Sequence, residues 1–569
     1  MTHLTSTLRP HQSRGGSVSR QNRGATLRAR PSCSVESCIA GASLFFTLFA
    51  NQRFWFAWSA SQDWSRTESW LLTVVTAVLL TAVHCLILGV VVGKSTAKPL
   101  LASLFILTAL ASHYMGRYTV FFDASMVRNI FHTDLSEARE LLSVGMLRDV
   151  LVYGCLPALL VSRLDLQRRT MQRALVMRAL FLLATMLAAG VSLLIAFQDL
   201  SALLRNQKEV RYLITPGNFI VSSIRVAAAE TEEAKSPRLP IGTDAVPAAS
   251  SHEGKPRLLV VVVGETVRAA NWGLNGYQRQ TTPELAASNV INFPRVTSCG
   301  TNTEVSVPCM FSPYGRRNYD EKQIRRHESV LHVMERAGIK TIWRDNQSGC
   351  KGACEGLEFQ RPEDRRDARL CNEVHCLDEI LLDGLEAELH KNPRDLVIVL
   401  HQLGNHGPAY SHRYPDTYRR FTPTCDDPDL GKCSREQIVN SYDNAVLYTD
   451  HFLAQTIRRL QGQVSHEAAL IYLSDHGESL GEKGVYLHGL PYAIAPREQT
   501  EVPMLMWLSP GFSAASAVDG ACLRTRAGQP ASHDYLFHSM LGLMRVQTSV
   551  YDPAFDVLSG CHDKTEAGT

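Results

Sequence analysis

Ala468-Ala469-Leu470-Ile471-Tyr472-Leu473 runs directly into Ser474-Asp475-His476-Gly477-Glu478, and this junction decides how the fold is read. The apolar run is short, rich in strand formers and free of alternation, the pattern of a strand covered on both faces in a parallel sheet. Open α/β sheets collect ligands at the carboxyl ends of their strands. The same pattern recurs at Leu258-Leu259-Val260-Val261-Val262-Val263 before Gly264-Glu265-Thr266, at Leu396-Val397-Ile398-Val399-Leu400 before His401, and at Thr341-Ile342-Trp343 before Arg344-Asp345-Asn346. Four strands pointing polar groups at one edge predict an α/β domain with a largely parallel central sheet.

That domain fills only the second half. A chain of 569 residues exceeds what one core accommodates, and its net charge of +3 gives no reason to expect a nucleic-acid partner. Five apolar segments, near 38–58, 70–93, 99–117, 146–162 and 179–198, approach the ~20 helical residues that cross a bilayer. The first ends in an aromatic belt of Phe54, Trp55, Phe56 and Trp58. Arg9, Arg14, Arg20, Arg23, Arg28 and Arg30 precede the first segment, Lys94 and Lys98 lie between the second and third, and Arg163, Arg168, Arg169, Arg173 and Arg178 between the fourth and fifth. Five spans put all three basic loops on the cytoplasmic side and export everything after Gln198. The expected division is a basic cytoplasmic tail (1–37), a five-helix transmembrane domain (38–198), an amphipathic helix (Leu203 to Ile224) and linker (199–256 together), and a periplasmic catalytic domain (257–569).

Cysteine usage agrees with an oxidising compartment. Eight of the ten cysteines beyond residue 298 are close sequence neighbours: Cys299 with Cys309, Cys350 with Cys354, Cys371 with Cys376, and Cys425 with Cys433. Short-range even sets of this kind predict disulfides, with Cys522 and Cys561 left open as a fifth bridge or free thiols.

At the strand ends, Glu265, Asp475 and His476 offer the carboxylate and imidazole mixture that Zn²⁺ accepts in a catalytic site with one open position. The segment Ser298-Cys299-Gly300-Thr301-Asn302-Thr303-Glu304-Val305-Ser306-Val307-Pro308-Cys309 supplies a nucleophile, with Thr301, Thr303 and Ser306 as candidates at a helix start that also favours phosphate. His406 in Gly404-Asn405-His406-Gly407-Pro408 and His488 in Leu487-His488-Gly489 can bind a second metal, hold a phosphoryl oxygen or protonate a leaving alkoxide.

Gly264-Glu265-Thr266-Val267-Arg268, Asn275-Gly276-Tyr277, Ser298 to Phe311, Asn405-His406-Gly407-Pro408, Ser474 to Glu482 and His488-Gly489-Leu490-Pro491-Tyr492 together resemble the membrane-bound phosphoethanolamine transferases that modify lipid A, a family that includes the mobile colistin-resistance enzymes. The resemblance covers all but the first 35 or so residues. It implies an alkaline-phosphatase-like or sulfatase-like α/β fold, one zinc ion with a second left open, and a monomer in the bacterial inner membrane. It selects Thr303 as nucleophile and Glu265, Thr303, Asp475 and His476 as zinc ligands. It also puts His406, His488 and Lys351 at the substrate phosphoryl group, and Asn129, Thr133 and Glu137 at the ethanolamine head group. The spacing of those last three predicts one helical face. Glu304, beside the nucleophile, is larger and more acidic than the small residue the family pattern suggests. The implied reaction takes phosphoethanolamine from phosphatidylethanolamine onto Thr303, releases diacylglycerol, and passes the group to a phosphate of lipid A. A core sugar or another periplasmic glycan as acceptor, a phosphatase or sulfatase on the same fold, and a non-catalytic membrane sensor are the alternative readings.

Overall fold

The computed structural model describes residues 31–233, 237–248, 254–365, 367–372 and 375–562; the arginines of the tail up to Arg30, and Ser250 and Ser251 of the linker, lie outside them. The first half is helical: α1 (Val35–Phe45), α2 (Gln52–Ala60), α3 (Thr67–Val91), α4 (Ala97–Tyr118), α5 (Ala124–His132), α6 (Leu135–Glu140), α7 (Val144–Asp149), α8 (Leu156–Arg163), α9 (Met171–Asn206) and α10 (Gly217–Glu233). Among the described residues four helices are long and apolar enough to cross a membrane: α3, α4, the continuous stretch Val144–Arg163, and α9.

The predicted first span is the exception. Its helix continues past α1 as one π-helical segment, Phe46–Ala50, and breaks at Asn51 before α2. Asn51 is fully buried, and its amide donates to the Phe46 and Thr215 carbonyls at 2.8 Å while its oxygen accepts the Thr215 N–H at 2.7 Å. The side chain thus spends its hydrogen bonds on tying this break to the segment after α9, which an uninterrupted helix would not need. The amphipathic helix expected from Leu203 to Ile224 is also interrupted. It divides into the end of α9, a 3₁₀ segment (Lys208–Leu213) and the start of α10, because Pro216 cannot continue a helix from the residues before it. The linker is shorter than expected, since α10 extends to Glu233.

The second half is built on an eight-stranded sheet of β1 (Arg257–Gly264), β2 (Ile291–Thr297), β3 (Lys340–Asp345), β4 (Glu358–Gln360), β5 (Leu396–His401), β6 (Glu467–Ser474), β7 (Glu501–Leu508) and β8 (Ala531–Ser532), in the order β8-β2-β7-β6-β1-β5-β3-β4. The sheet is mixed: β7 runs antiparallel to both β2 and β6, and the remaining pairs are parallel. Strand β1 lies at the centre. Its Leu259, Val261 and Val263 face one apolar layer and its Leu258, Val260 and Val262 the other, which is why the sequence shows an unbroken apolar run rather than alternation. The long helix α13, Arg435–Gly462, covers the second layer through Ile438, Tyr442, Val446, Phe452 and Ile457. On the opposite layer lie α11 (Thr303–Met310) and, beside it, α12 (Glu321–Arg326). Register aligns the strand ends: Val263 pairs with His401 and Leu473, Gly264 with Ser474, and His401 with Asp345.

Five disulfides join Cys299 to Cys309, Cys350 to Cys354, Cys371 to Cys376, Cys425 to Cys433 and Cys522 to Cys561. Cys33, Cys38, Cys85 and Cys155 are free thiols.

Candidate active site and metal centre

Strands β1 and β6 end side by side, and each extends into a ligand. Glu265, Asp475 and His476 are fully buried, and their ligand atoms lie within 4.8 Å of one another. His476 Nε2 is 3.3 Å from both Glu265 Oε1 and Asp475 Oδ2. Its other nitrogen, Nδ1, faces the Gly477 carbonyl at 3.0 Å, a contact that fixes the ring with Nε2 toward the carboxylates. Thr266 holds the β1 end in place from a left-handed backbone (φ 62) that a β-branched residue rarely adopts. Its N–H donates to Asp475 Oδ1 at 3.1 Å, and its hydroxyl donates to Glu265 Oε1 at 2.5 Å.

The donor set fits a divalent cation. Asp475 Oδ2 is buried without a hydrogen-bond partner, an arrangement that costs free energy unless a cation answers it. Among the described residues the ion-pair partner of both carboxylates is His476 alone. Burial and the neighbouring Glu265 charge push the Asp475 carboxyl up, while burial of Glu265 is outweighed by His476, which holds that carboxyl low. Two carboxylates forced into one buried space with a single imidazole are the set that a zinc-like ion stabilises.

Thr303 reaches this cluster from α11. Its hydroxyl donates to Glu265 Oε2 at 3.0 Å and lies 3.4 Å from His476 Nε2. Asn302 caps the helix by accepting the Val305 N–H at 3.0 Å, so Thr303 sits at the positive end of the helix dipole. The other two hydroxyls are used locally: Thr301 donates to the Leu490 carbonyl at 2.6 Å, and Ser306 accepts the Gly300 N–H at 2.9 Å. Of the three hydroxyls, Thr303 is the one in contact with the ligand cluster.

His488 packs its ring 4.4 Å from that of His476, and His406 lies 5.6 Å from His488. Burial lowers His406 to a pKa of about 4, and its Nδ1 has no hydrogen-bond partner. His488 Nδ1 is held at 2.8 Å by Glu478 Oε2, and Tyr410 donates to the other Glu478 oxygen. Lys351 donates to Ser348 Oγ at 2.7 Å and to the Ser348 carbonyl at 3.0 Å, and its ammonium is 3.7 Å from Glu304 Oε2.

The expected single face of Asn129, Thr133 and Glu137 does not form. Helix α5 ends at His132, Thr133 is extended, and Asp134 caps a new helix by accepting the Glu137 N–H at 2.9 Å. Asp134 offers the backbone a capping bond that competes with continuing the helix. Asn129 and Thr133 therefore stay together, with the Thr133 hydroxyl bonded to the Asn129 carbonyl at 2.7 Å, and Glu137 stands on α6. Burial, then the charges of Asp134 and Glu265, raise Glu137 to a pKa of about 8.

Of the residues around the ligands, His401 and Asp345 are visible in the sequence only as polar strand ends without a role, and Gln347 is not singled out at all. Gln347, just past β3, donates to Glu265 Oε2 at 3.1 Å, and His401 pairs with Asp345 at 2.8 Å below the ligands. Glu478 stood in the same motif as Asp475, where its acidity was the available signal. Gln347 carried none, because a neutral amide becomes recognisable only through its partner.

A buried acid and imidazole cluster with a helix-borne hydroxyl, at the strand ends of a mixed α/β sheet beside apolar helices, defines a membrane-associated member of the sulfatase-like fold. The Sulfatase family profile matches residues 257–546, and the profile of Phosphoethanolamine transferase EptA/EptB matches residues 80–231. The chain is 40% identical to phosphoethanolamine transferase EptA of Escherichia coli over 82% of this chain and 86% of that protein. It is 38% identical to phosphatidylethanolamine transferase Mcr-1 of Escherichia coli over 84% of this chain and 90% of the relative. The integral membrane protein lipooligosaccharide phosphoethanolamine transferase A (EptA) from Neisseria meningitidis superposes with a TM-score of 0.89 at 36% identity, covering 94% of this chain and 100% of the other. The chain belongs to the phosphoethanolamine transferase family.

Proposed function

We propose that this enzyme transfers phosphoethanolamine from phosphatidylethanolamine to a phosphate of lipid A, with Thr303 as the nucleophile. The observation that carries this reading is the Thr303 hydroxyl at a helix N-terminus, hydrogen-bonded at 3.0 Å to a carboxylate of the buried ligand cluster. In the first step a bond forms between Thr303 Oγ1 and the donor phosphorus, and the bond from phosphorus to the diacylglycerol oxygen breaks. The hydroxyl proton leaves along the existing bond toward Glu265 Oε2. The departing diacylglycerol oxygen takes up a proton from His488, which Glu478 orients, while His406, neutral at ordinary pH, is left to donate a hydrogen bond to a phosphoryl oxygen. In the second step an oxygen of the acceptor phosphate forms a bond to the phosphorus and the bond from phosphorus to Thr303 Oγ1 breaks; Glu265 returns its proton to Oγ1, and the acceptor's own hydroxyl proton restores His488.

Glu265, Thr303, Asp475 and His476 would hold one Zn²⁺, which when bound acts as a Lewis acid that lowers the hydroxyl pKa and neutralises phosphoryl charge. His406 and His488 are the groups available to a second ion. Lys351 and the N-terminus of α11 add positive potential to the phosphoryl oxygens. Asn129 and Thr133 on α5 and Glu137 on α6 take the ethanolamine head group. A raised Glu137 becomes anionic once the donor's ammonium replaces lost water.

For topology, the broken segment of α1 and α2 counts as a fifth crossing of the inner membrane, since four crossings alone would put the basic loops and the tail on opposite sides. The disulfide-bonded domain then faces the periplasm, an oxidising compartment that suits its five bridges. The enzyme acts as a monomer between two membrane lipids. Masking phosphate charge on lipid A would weaken binding of cationic peptides such as polymyxin.

The direct test is peptide mapping after incubation with phosphatidylethanolamine and no acceptor. The reading expects phosphoethanolamine on Thr303 and free diacylglycerol; diacylglycerol with the group on another residue would overturn the assignment, and release of free phosphoethanolamine alone would favour a hydrolase.

A further inference from the structure

Glu304 follows Thr303 on α11, is 1% exposed, and sits among three basic side chains. Arg325 of α12 donates to Glu304 Oε1 and to the Glu304 carbonyl, both at 2.9 Å. The Lys351 ammonium lies 3.7 Å from Oε2, an oxygen with no hydrogen-bond partner. The third base, His132, comes from the membrane-side helices. It ends α5, its Nδ1 is 3.1 Å from Glu304 Oε1, and its Nε2 is 3.1 Å from Glu230 of α10. One turn earlier Arg128, with 5% of its side chain exposed, crosses to Glu321 of α12 at 2.5 Å and lies 3.6 Å from Glu233.

A buried carboxylate beside a nucleophile is expensive unless it is paired, and Arg325 alone would satisfy that requirement. The contact with His132 is therefore additional, and it crosses between the two halves of the chain. It also lies next in sequence to Thr133 and three residues after Asn129. Any displacement of His132 relative to Glu304 displaces both relative to Thr303. On the other side, Lys351 has φ 49 within the small loop closed by Cys350 and Cys354, so its stem is restrained and Glu304 supplies its only carboxylate contact among the described residues.

We propose that Glu304 is a positioning residue: through His132 it sets the head-group helix α5 in register with the nucleophile helix α11, while its second oxygen keeps Lys351 at the phosphoryl site. Nothing in the transfer chemistry needs this carboxylate to exchange a proton or touch the phosphorus. The inference rests on the reading of α5 as the head-group helix.

The test uses the full chain in mixed micelles with phosphatidylethanolamine and lipid A. Steady-state kinetics are measured against the donor for His132→Ala, Glu304→Ala, the double variant, His132→Gln and Asn129→Ala. Misregistered helices should raise the donor KM on the order of tenfold in both single alanine variants of the pair; kcat should change by less than about threefold in His132→Ala and fall further in Glu304→Ala, which also frees Lys351. The double variant should be no worse than Glu304→Ala alone, since the His132 contact is already lost when Glu304 is removed. His132→Gln, which retains a donor toward Glu304, should recover most of the loss. Hydrogen exchange across Ala124–His132 should accelerate in both alanine variants, a change that a purely local role beside Thr303 would not produce.

Multiplying effects in the double variant, a loss confined to kcat, or unchanged exchange in α5 would overturn the proposal. If Glu304→Ala does not fold, His132→Ala carries the test alone, because it leaves the Arg325 pair intact. An unchanged donor KM in Asn129→Ala, with α5 exchange still accelerated in His132→Ala, would remove the head-group reading and leave the link between helices standing. A raised KM in Asn129→Ala with multiplying effects in the double variant would do the reverse.

Discussion

Asp475 shows how much one residue can state and how much it withholds. Its place after an apolar run, beside His476, makes it legible as a ligand in the sequence, but its unpartnered Oδ2 is visible only in three dimensions. Replacing it with Asn keeps the shape and removes the charge that a cation needs. Asp475→Asn should lose bound zinc by at least about tenfold in affinity at unchanged secondary structure, read by elemental analysis after dialysis. Glu137 makes an opposite kind of prediction. Its folded pKa of about 8 lies above the ordinary 4.5, so the folded state binds the extra proton and stability falls as pH rises between those values. Glu137→Gln removes that loss. Its thermal melting temperature, measured without substrate, should gain on the wild type steadily from about pH 5 to pH 8; a constant difference would mean that Glu137 is ionised in the folded protein. Neither Glu304 nor Gln347 could be given a partner from the sequence, because their partners Arg325, His132 and Glu265 are fixed by packing between distant segments.

The strands were readable because burial on both faces leaves an unbroken apolar run, and β1, β3, β5 and β6 fall where those runs occur. The antiparallel β7 was not, since strand direction depends on the connection and not on composition. Helix breaks failed for a related reason. Apolar content persists through Asn51 and near Thr133, and only the capping and bridging bonds of Asn51 and Asp134 reveal that the chain stops there. Cysteine spacing, by contrast, gave four short loops directly. The bridge from Cys522 to Cys561 spans 39 residues and the one from Cys350 to Cys354 spans 4. Loop-closure entropy predicts about 4 kcal/mol from the long bridge and about 2 from the short one. Paired serine replacements at Cys522 and Cys561 should therefore lower the melting temperature more than the same change at Cys350 and Cys354. Activity should be hit harder by the second change, which frees Lys351.

At the scale of the whole molecule, a catalytic domain held against membrane helices puts a soluble type of chemistry within reach of two lipids. Arg128, Arg413 and Arg117 fasten the two halves through Glu321, Glu140 and Asp429, so the site faces a fixed side of the helical bundle. The basic loops predict that side. An alkaline phosphatase reporter fused after Leu213 should be active and one fused after Leu166 inactive, whereas activity after Leu166 would invert the topology. The central claim, however, is chemical, and one measurement addresses it most directly: mass spectrometry of lipid A from a bacterial host expressing the wild-type chain or Thr303→Ala at equal levels. The account predicts a phosphoethanolamine increment on lipid A with the wild type and none with the variant. An equal increment from both would contradict it.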